Sequence, residues 1–505
     1  MHSVRPATQN LLPIGAAIVA SISVAVAVVL ATSQGSADLL AFAALVLVAV
    51  ALIGLGLHSP RVAVVYLLFT TFFRLALTPY FPVDPFLIAF AGLVTSYLIW
   101  LSVRPHALPR LGWLEGFMVL YFLWNVYSMF APHELGAVYP LSGETLSVYR
   151  FILTGTLMPF TMYLIGRSIY DTERAVRVLL WSVSVFSLYC AAVSILQFRA
   201  PGLVWPRYIV EAPNWPGRAN GVFNQPVVNG LTLIAGFVAT LILIEMSPRL
   251  PRWAKVVTGC SAAAMAYAIY LTHTRAIWLA FLVVVVVGVA FGHRIRRGFS
   301  VTLLVMVGGA LANWTAFTSS DRSAGGVAST NEVDDRLNSM ATSFWAAGRE
   351  PWFGWGIGRF TAVNTVHHQQ YSQDVPWARG YGISSHFNEL GILVELGLVG
   401  LVLWLAVLVL LLVKLVRAVR VSPPDSLCGR NLALLAAMML GVLIIAGFTV
   451  DLRFFDFPTI LVYLLAGVAV GCAERANPPS AQTSTPAPTK STDHPPMRVT
   501  TDVPT

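Results

Sequence analysis

The sequence predicts an all-α, polytopic membrane protein with about 12–14 transmembrane helices and one large outer loop that contains short amphipathic helices. Three observations predict it. Of the 505 residues, 57% are hydrophobic and only 11% charged, against about 25% charged in soluble domains, and the mean hydropathy is +0.72. Apolar runs long enough to cross a bilayer recur along the whole chain. Arginine and lysine fall in every second interval between those runs. The runs lack the ten-residue alternation of a β-barrel, and barrels and helix bundles are the two ways a chain satisfies its backbone in lipid.

Taken in order, spans are expected near residues 11–32, 37–57, 62–78, 85–103, 112–131, 151–169, 177–197, 226–246, 254–272, 276–292, 299–317, 389–413, 431–450 and 457–472. The first run exceeds a signal-peptide core and reads as a span, with cleavage after Ala31-Thr32-Ser33 as the alternative. Positive charge collects at Arg61, at Arg104 and Arg110, at Arg167, Arg174 and Arg177, at Arg249, Arg252 and Lys255, at Arg294, Arg296 and Arg297, and from Lys414 to Arg430. These intervals are therefore cytoplasmic, as both termini are expected to be. That leaves 132–150, 198–225 and 318–388 outside. The tail from about Ala476 is rich in Pro, Ser and Thr and reads as disordered. The net charge of +9 then reflects topology rather than a nucleic-acid partner. Residues 1–475 form one membrane domain, with no internal repeat and no paired broken helices of the transporter kind. Cys190, Cys260, Cys428 and Cys472 include no CxxC pair and lie outside the long loops, which supports neither a disulfide framework nor a zinc site.

The outer face carries an anomaly. Its positive charges are all arginine: Arg199, Arg207, Arg218, Arg322, Arg336, Arg349, Arg359 and Arg379 in loops, and Arg74, Arg150, Arg275 and Arg453 at span ends. Guanidinium matches phosphate oxygens bidentately, so this pattern suggests a phosphate-bearing ligand at the membrane surface. For any one arginine, pairing with lipid headgroups or with acids of the same loops is the more economical reading. Arg275 stands apart, because Thr272-His273-Thr274-Arg275 is a tight turn at the bilayer edge, where ionisable groups are usually functional.

Within the large loop, Leu337, Met340, Phe344 and Trp345 recur at helical spacing and predict an amphipathic helix along the membrane surface. Asp334 and Asp335 suit a helix N-cap at least as well as a divalent metal. The glycine-rich stretch from Pro351 to Gly358 follows no strand, so a dinucleotide-loop reading fails its context. His367-His368 has no partner at metal-ligand spacing. Ser384 or Ser385 caps a helix expected to start near His386, whose N-terminal field favours an anion and a neutral imidazole, the state a general base needs. Glu389 and Glu395 follow on that helix. A carboxylate in hydrocarbon needs a partner, and an outer arginine is the natural one for Glu395.

Three segments carry a family resemblance: GRANGVFNQPVVNGLTL from Gly217, THTRAIWLA from Thr272, and the series from Arg336 through FGWGIGRF to SSHFNELGILVELGLVG. Together they resemble the O-antigen ligase and O-antigen polymerase superfamily of bacterial membrane glycosyltransferases over about residues 217–400. The resemblance implies a metal-independent enzyme without cofactors, in the inner membrane with its active face periplasmic. It moves a glycan from a polyprenyl diphosphate to an acceptor glycan or lipid hydroxyl, alongside membrane lipids and other polysaccharide-assembly proteins. It also implies that Arg275 and Arg336 hold the diphosphate, that His386 is the catalytic base or orients the acceptor, and that Glu395 and Arg218 support them. Phe387 stands where the family's asparagine follows the histidine, and Asn388 comes one place later. Polymerase and ligase share these motifs. Readings of a different class are a lipid-linked sugar transporter or flippase and a non-catalytic scaffold of an exopolysaccharide complex.

Overall fold

A computed structural model describes residues 59–105, 108–247, 250–319 and 331–477. The spans expected at 11–32 and 37–57, Arg322, and the tail beyond Asn477 lie outside the described residues. Every span expected between 62 and 472 is helical: α1 (Pro60–Phe72), α2 (Pro85–Val103), α3 (Trp113–Phe130), α4 (Val148–Ile169), α5 (Glu173–Arg199), α6 (Pro226–Glu245), α7 (Arg252–Leu271), α8 (Arg275–Phe291) and α9 (Arg296–Ala312). After the loop helices α10 (Asn331–Arg349) and α11 (Phe360–Val366) come α12 (Asn388–Val421), α13 (Arg430–Gly447) and α14 (Asp456–Ala476). Among the described residues nine helices are long and apolar enough to cross a membrane, ten if the bent pair at Phe73 counts as one span. The protein is an all-α, multi-pass membrane protein. Among the described residues the only sheet is a two-strand hairpin, in which Val138 pairs with Thr145.

Local chemistry sets the helix starts. Pro60, Pro85 and Pro226 stand in the first turns of α1, α2 and α6, where a missing N–H costs nothing. Thr172 caps α5 by accepting from the Ala175 N–H at 3.3 Å. The apolar stretch of α14 is wholly buried and that of α6 nearly so, whereas α9 lies at the periphery. Lipid tails are as apolar as the core, so close packing rather than hydrophobicity joins such helices. Gly467 and Gly471 supply it on α14: a Cβ there would lie 2.1 Å from the Tyr163 carbonyl and 2.2 Å from that of Arg167, both on α4. Buried Glu115 accepts from Arg167 at 2.8 Å and Lys414 at 2.9 Å, tying α3, α4 and α12.

Two expectations need correction. The expected spans at 62–78 and 389–413 are continuous, yet the chain bends by 71° between Pro60–Phe72 and Arg74–Tyr80, and α12 is interrupted at Gly397 (φ 66°, ψ −171°). A glycine inside an apolar run conceals such a break, because hydropathy is unchanged across it. The loop helix also begins earlier than expected, at Asn331, so Asp334 and Asp335 stand in its first turns instead of capping it. Its buried side is polar: Asn338, Ser339, Thr342 and Ser343 are fully enclosed, while Val333 and Phe344 are exposed. Asn338 donates to the carbonyls of Pro376 and Arg379 and accepts from the Tyr371 N–H, satisfying loop backbone that has no helix of its own.

Candidate active site

The site is built on the interrupted helix. Ser385 Oγ accepts from the Phe387 N–H at 3.1 Å and donates to the Phe387 carbonyl at 2.6 Å. This turn delays the helix to Asn388, two residues later than expected, and leaves His386 in the loop before it. Nine residues on, the break at Gly397 frees backbone groups that the glycine-rich loop takes up. The N–H groups of Trp355 and Gly356 donate to the carbonyls of Val394 and Glu395 at 2.8 and 2.9 Å, and the Leu398 N–H donates to Pro351 at 2.7 Å. A Cβ on Gly397 would lie 2.2 Å from the Trp352 carbonyl, so the contact admits glycine alone.

Glu395 faces away from solvent at this break. One carboxylate oxygen accepts from Arg453 Nη1 at 2.8 Å, the other from the Phe360 N–H at 3.1 Å. Arg453 also grips Asp451 bidentately, at 2.9 and 2.5 Å, and lies over the Phe151 ring at 4.8 Å. All three charged groups are buried. Glu389 points elsewhere, into a separate cavity of about 20 Å³ lined by Trp404 and Tyr463.

Above the triad lies a cleft of about 170 Å³ whose wall includes Arg218, Arg336, His386, Glu332, Asp335 and Asp451. Three distant segments converge there. The loop carrying Arg218 is pinned by Gln197, which donates to the Arg218 carbonyl at 2.7 Å, and by the Ala219 N–H on the Leu271 carbonyl at 2.9 Å. His273, held at φ 45°, reaches the Gly217 carbonyl through Nδ1 at 2.8 Å and so joins that loop to the turn that ends in Arg275. Thr274 lines the cleft and Arg275 opens α8 beside it. The third segment is the first turns of α10, carrying Glu332, Asp335 and Arg336.

The charges sense one another. Burial pulls Arg336 below the usual guanidinium range, and Arg275 and Arg218 add to this by repulsion. Burial brings Arg218 down to about 10. Arg218 still holds its proton at neutral pH. Burial first, then the Arg336 charge, lower the His386 imidazole, against Asp335 and a hydrogen bond to the Thr449 backbone. The neutral imidazole expected from the sequence thus has a different cause here: enclosure and a neighbouring cation, not the field of a helix terminus.

Of the sequence candidates, His386, Arg336 and Arg218 share the cleft, Arg275 adjoins it, and Glu395 is buried behind it. Most other outer arginines have structural partners: Arg74 with Asp84 and Asp456, Arg150 with Asp84, Arg207 with Glu211, and Arg379 with Asp335. Arg359 donates to the Leu135 and Ile357 carbonyls. His368 is bound to Asn364 and the Trp377 carbonyl, and His367 stacks on Trp345. Sequence reasoning missed Glu332, Asp451 and Trp215. The four-residue spacing of Glu332 and Arg336 could have marked a helical ion pair, whereas nothing local ties either to Arg218 or Trp215.

No curated protein matches the chain. Residues 260–405 match the O-antigen ligase family, a range that takes in Arg275, Arg336, His386 and Glu395 but not Arg218. The similarity of this chain to the O-antigen ligase and polymerase superfamily rests on that segment.

Proposed function

We propose that this protein transfers a polyprenyl-diphosphate-linked glycan to an acceptor hydroxyl at the periplasmic face of the bacterial inner membrane. The observation that carries this reading is the convergence of arginines and a neutral histidine on one cleft, with Arg336 and His386 inside the segment that matches the O-antigen ligase family. Periplasmic orientation is supported by the lysine and arginine bias of the loops at the opposite end. In the reaction the acceptor oxygen attacks the anomeric carbon of the donor sugar. A glycosidic C–O bond forms as the C–O bond to the diphosphate breaks, and the bonding pair leaves with the lipid diphosphate. Arg218, Arg275 and Arg336 supply positive charge where the leaving group gains negative charge. His386 takes the acceptor's proton, and its depressed pKa keeps it unprotonated and available at neutral pH.

The test uses purified protein in lipid nanodiscs with a synthetic polyprenyl-diphosphate oligosaccharide as donor. Loss of a positioned base typically lowers turnover about 10²–10⁴-fold, and His386→Ala is expected to do so. Arg336→Ala is expected to raise KM for the donor and lower kcat. Wild-type turnover in both variants would overturn the proposal.

A further inference from the structure

Glu332 stands between two of the cleft's arginines. One of its oxygens contacts the Arg218 guanidinium and the other lies 4.0 Å from Arg336 Nη2, so one carboxylate bridges two of the cleft's cations. The other acids of the cleft wall are engaged differently. Asp335 pairs with Arg379 at 3.1 Å, and Asp451 is gripped by Arg453. Arg218 and Arg336 repel each other in a partly enclosed site, and an uncompensated charge in such a place is costly. A carboxylate and a phosphate group offer the same recognition to guanidinium, two oxygens on one fork. The Glu332 carboxylate therefore meets the need that a bound diphosphate would meet.

We propose that Glu332 is an internal competitor for the diphosphate subsite formed by Arg218 and Arg336. Resting on the donor reading above, it follows that Glu332 sets the affinity of the cleft for the lipid diphosphate. The donor's diphosphate displaces the carboxylate as it binds. When the lipid diphosphate departs after transfer, the carboxylate returns, so the arginines are never left without an anion. Such exchange weakens donor binding and speeds product release, a step that often limits turnover. Trp215, whose ring lies 5.0 Å from the Arg218 guanidinium, holds that arginine in place through the exchange.

The experiment measures farnesyl diphosphate binding to the full-length protein in nanodiscs. Glu332→Gln is expected to tighten binding about tenfold, the size of effect that follows from releasing a binding-competent state from an internal competitor. Glu332→Ala must show the same tightening, which separates loss of charge from a folding fault peculiar to glutamine. Turnover with the oligosaccharide donor should show a lower KM together with a lower kcat. If Arg336→Gln weakens binding while both Glu332 variants bind at wild-type strength or worse, the competitor role is overturned and the donor site stands. An unchanged KM with a lost kcat also overturns it, by placing Glu332 in the chemistry. If wild type and Arg336→Gln bind the probe equally, the donor reading itself fails, and the competitor with it.

Discussion

Replacing Arg453 with methionine tests how the candidate site is held. Arg453 joins Asp451 and Glu395 through three charge-assisted hydrogen bonds between 2.5 and 2.9 Å, with its side chain only 4% exposed. Methionine fills much of the same volume but leaves two carboxylates facing each other in an enclosed pocket. Breaking a buried pair by removing one partner costs about 3–5 kcal/mol, because the remaining charge is uncompensated. Glu395→Gln removes a charge but keeps an acceptor for the Phe360 N–H, and Arg453 keeps its bidentate grip on Asp451. Its cost is that of a charged hydrogen bond, about 1.5–3 kcal/mol. The triple change Arg453→Met, Asp451→Asn, Glu395→Gln removes every charge together and should recover much of the loss. Unfolding of the full-length protein in detergent, followed by tryptophan fluorescence, gives the order: Arg453→Met least stable, the triple variant more stable, Glu395→Gln closest to wild type. A single Arg453→Met variant within about 1 kcal/mol of wild type, or a triple variant no better than the single, would refute the reasoning.

The His386 imidazole lies below its ordinary value of 6.5, so the native state binds fewer protons than the unfolded chain. Stability from this group is thus complete above about pH 6.5 and declines as the pH falls below it, and the acid limb of initial rate against pH should also lie below 6.5. Arg336→Gln removes a cation that holds the imidazole down, so the limb should move upward; a limb that moves downward or stays fixed would separate the two residues. Gly467→Ala puts a methyl carbon 2.1 Å from a backbone carbonyl of α4 and should destabilise by about 1–3 kcal/mol through overpacking. Gly441→Ala, with no neighbour within 4 Å of the added carbon, serves as its control in the same unfolding assay and should be close to neutral.

Hydropathy is additive along a chain, which is why the described spans are legible in the order of residues alone. The site is legible in part. His386, Arg336 and Arg275 declare themselves by being costly residues in unusual places. What the sequence withholds depends on pairing across distance. Glu395 wants a cation, but several outer arginines are on offer, and its partner lies 58 positions away. Glu332 looks like an ordinary helix acid until Arg218, 114 positions earlier, comes against it. The polar face of α10 turns inward because loop carbonyls need donors, a demand that a hydrophobic period does not encode. Gly467 and Gly471 form a G-x-x-x-G pair, a readable sign of close packing, yet only the fold shows that α4 is the partner.

The interrupted helix explains why the large loop and the membrane bundle act as one object. A break inside a span is tolerated only where other groups take up the freed backbone. Here the glycine-rich loop does so, in hydrogen bonds on both sides of Gly397. Two residues before the break, Glu395 accepts from Arg453, whose guanidinium would be 2.9 Å from a Cβ on Gly391, in the first turn of the helix that follows His386. Arg336 stands on α10, which leads into the glycine-rich loop and whose polar face is bonded to the carbonyls of Pro376 and Arg379 further along the large loop. The histidine and the loop arginine are therefore referenced to the same stitch. A change that loosens it, at Gly354 or Gly397, acts on the spacing of His386 and Arg336 without touching either residue.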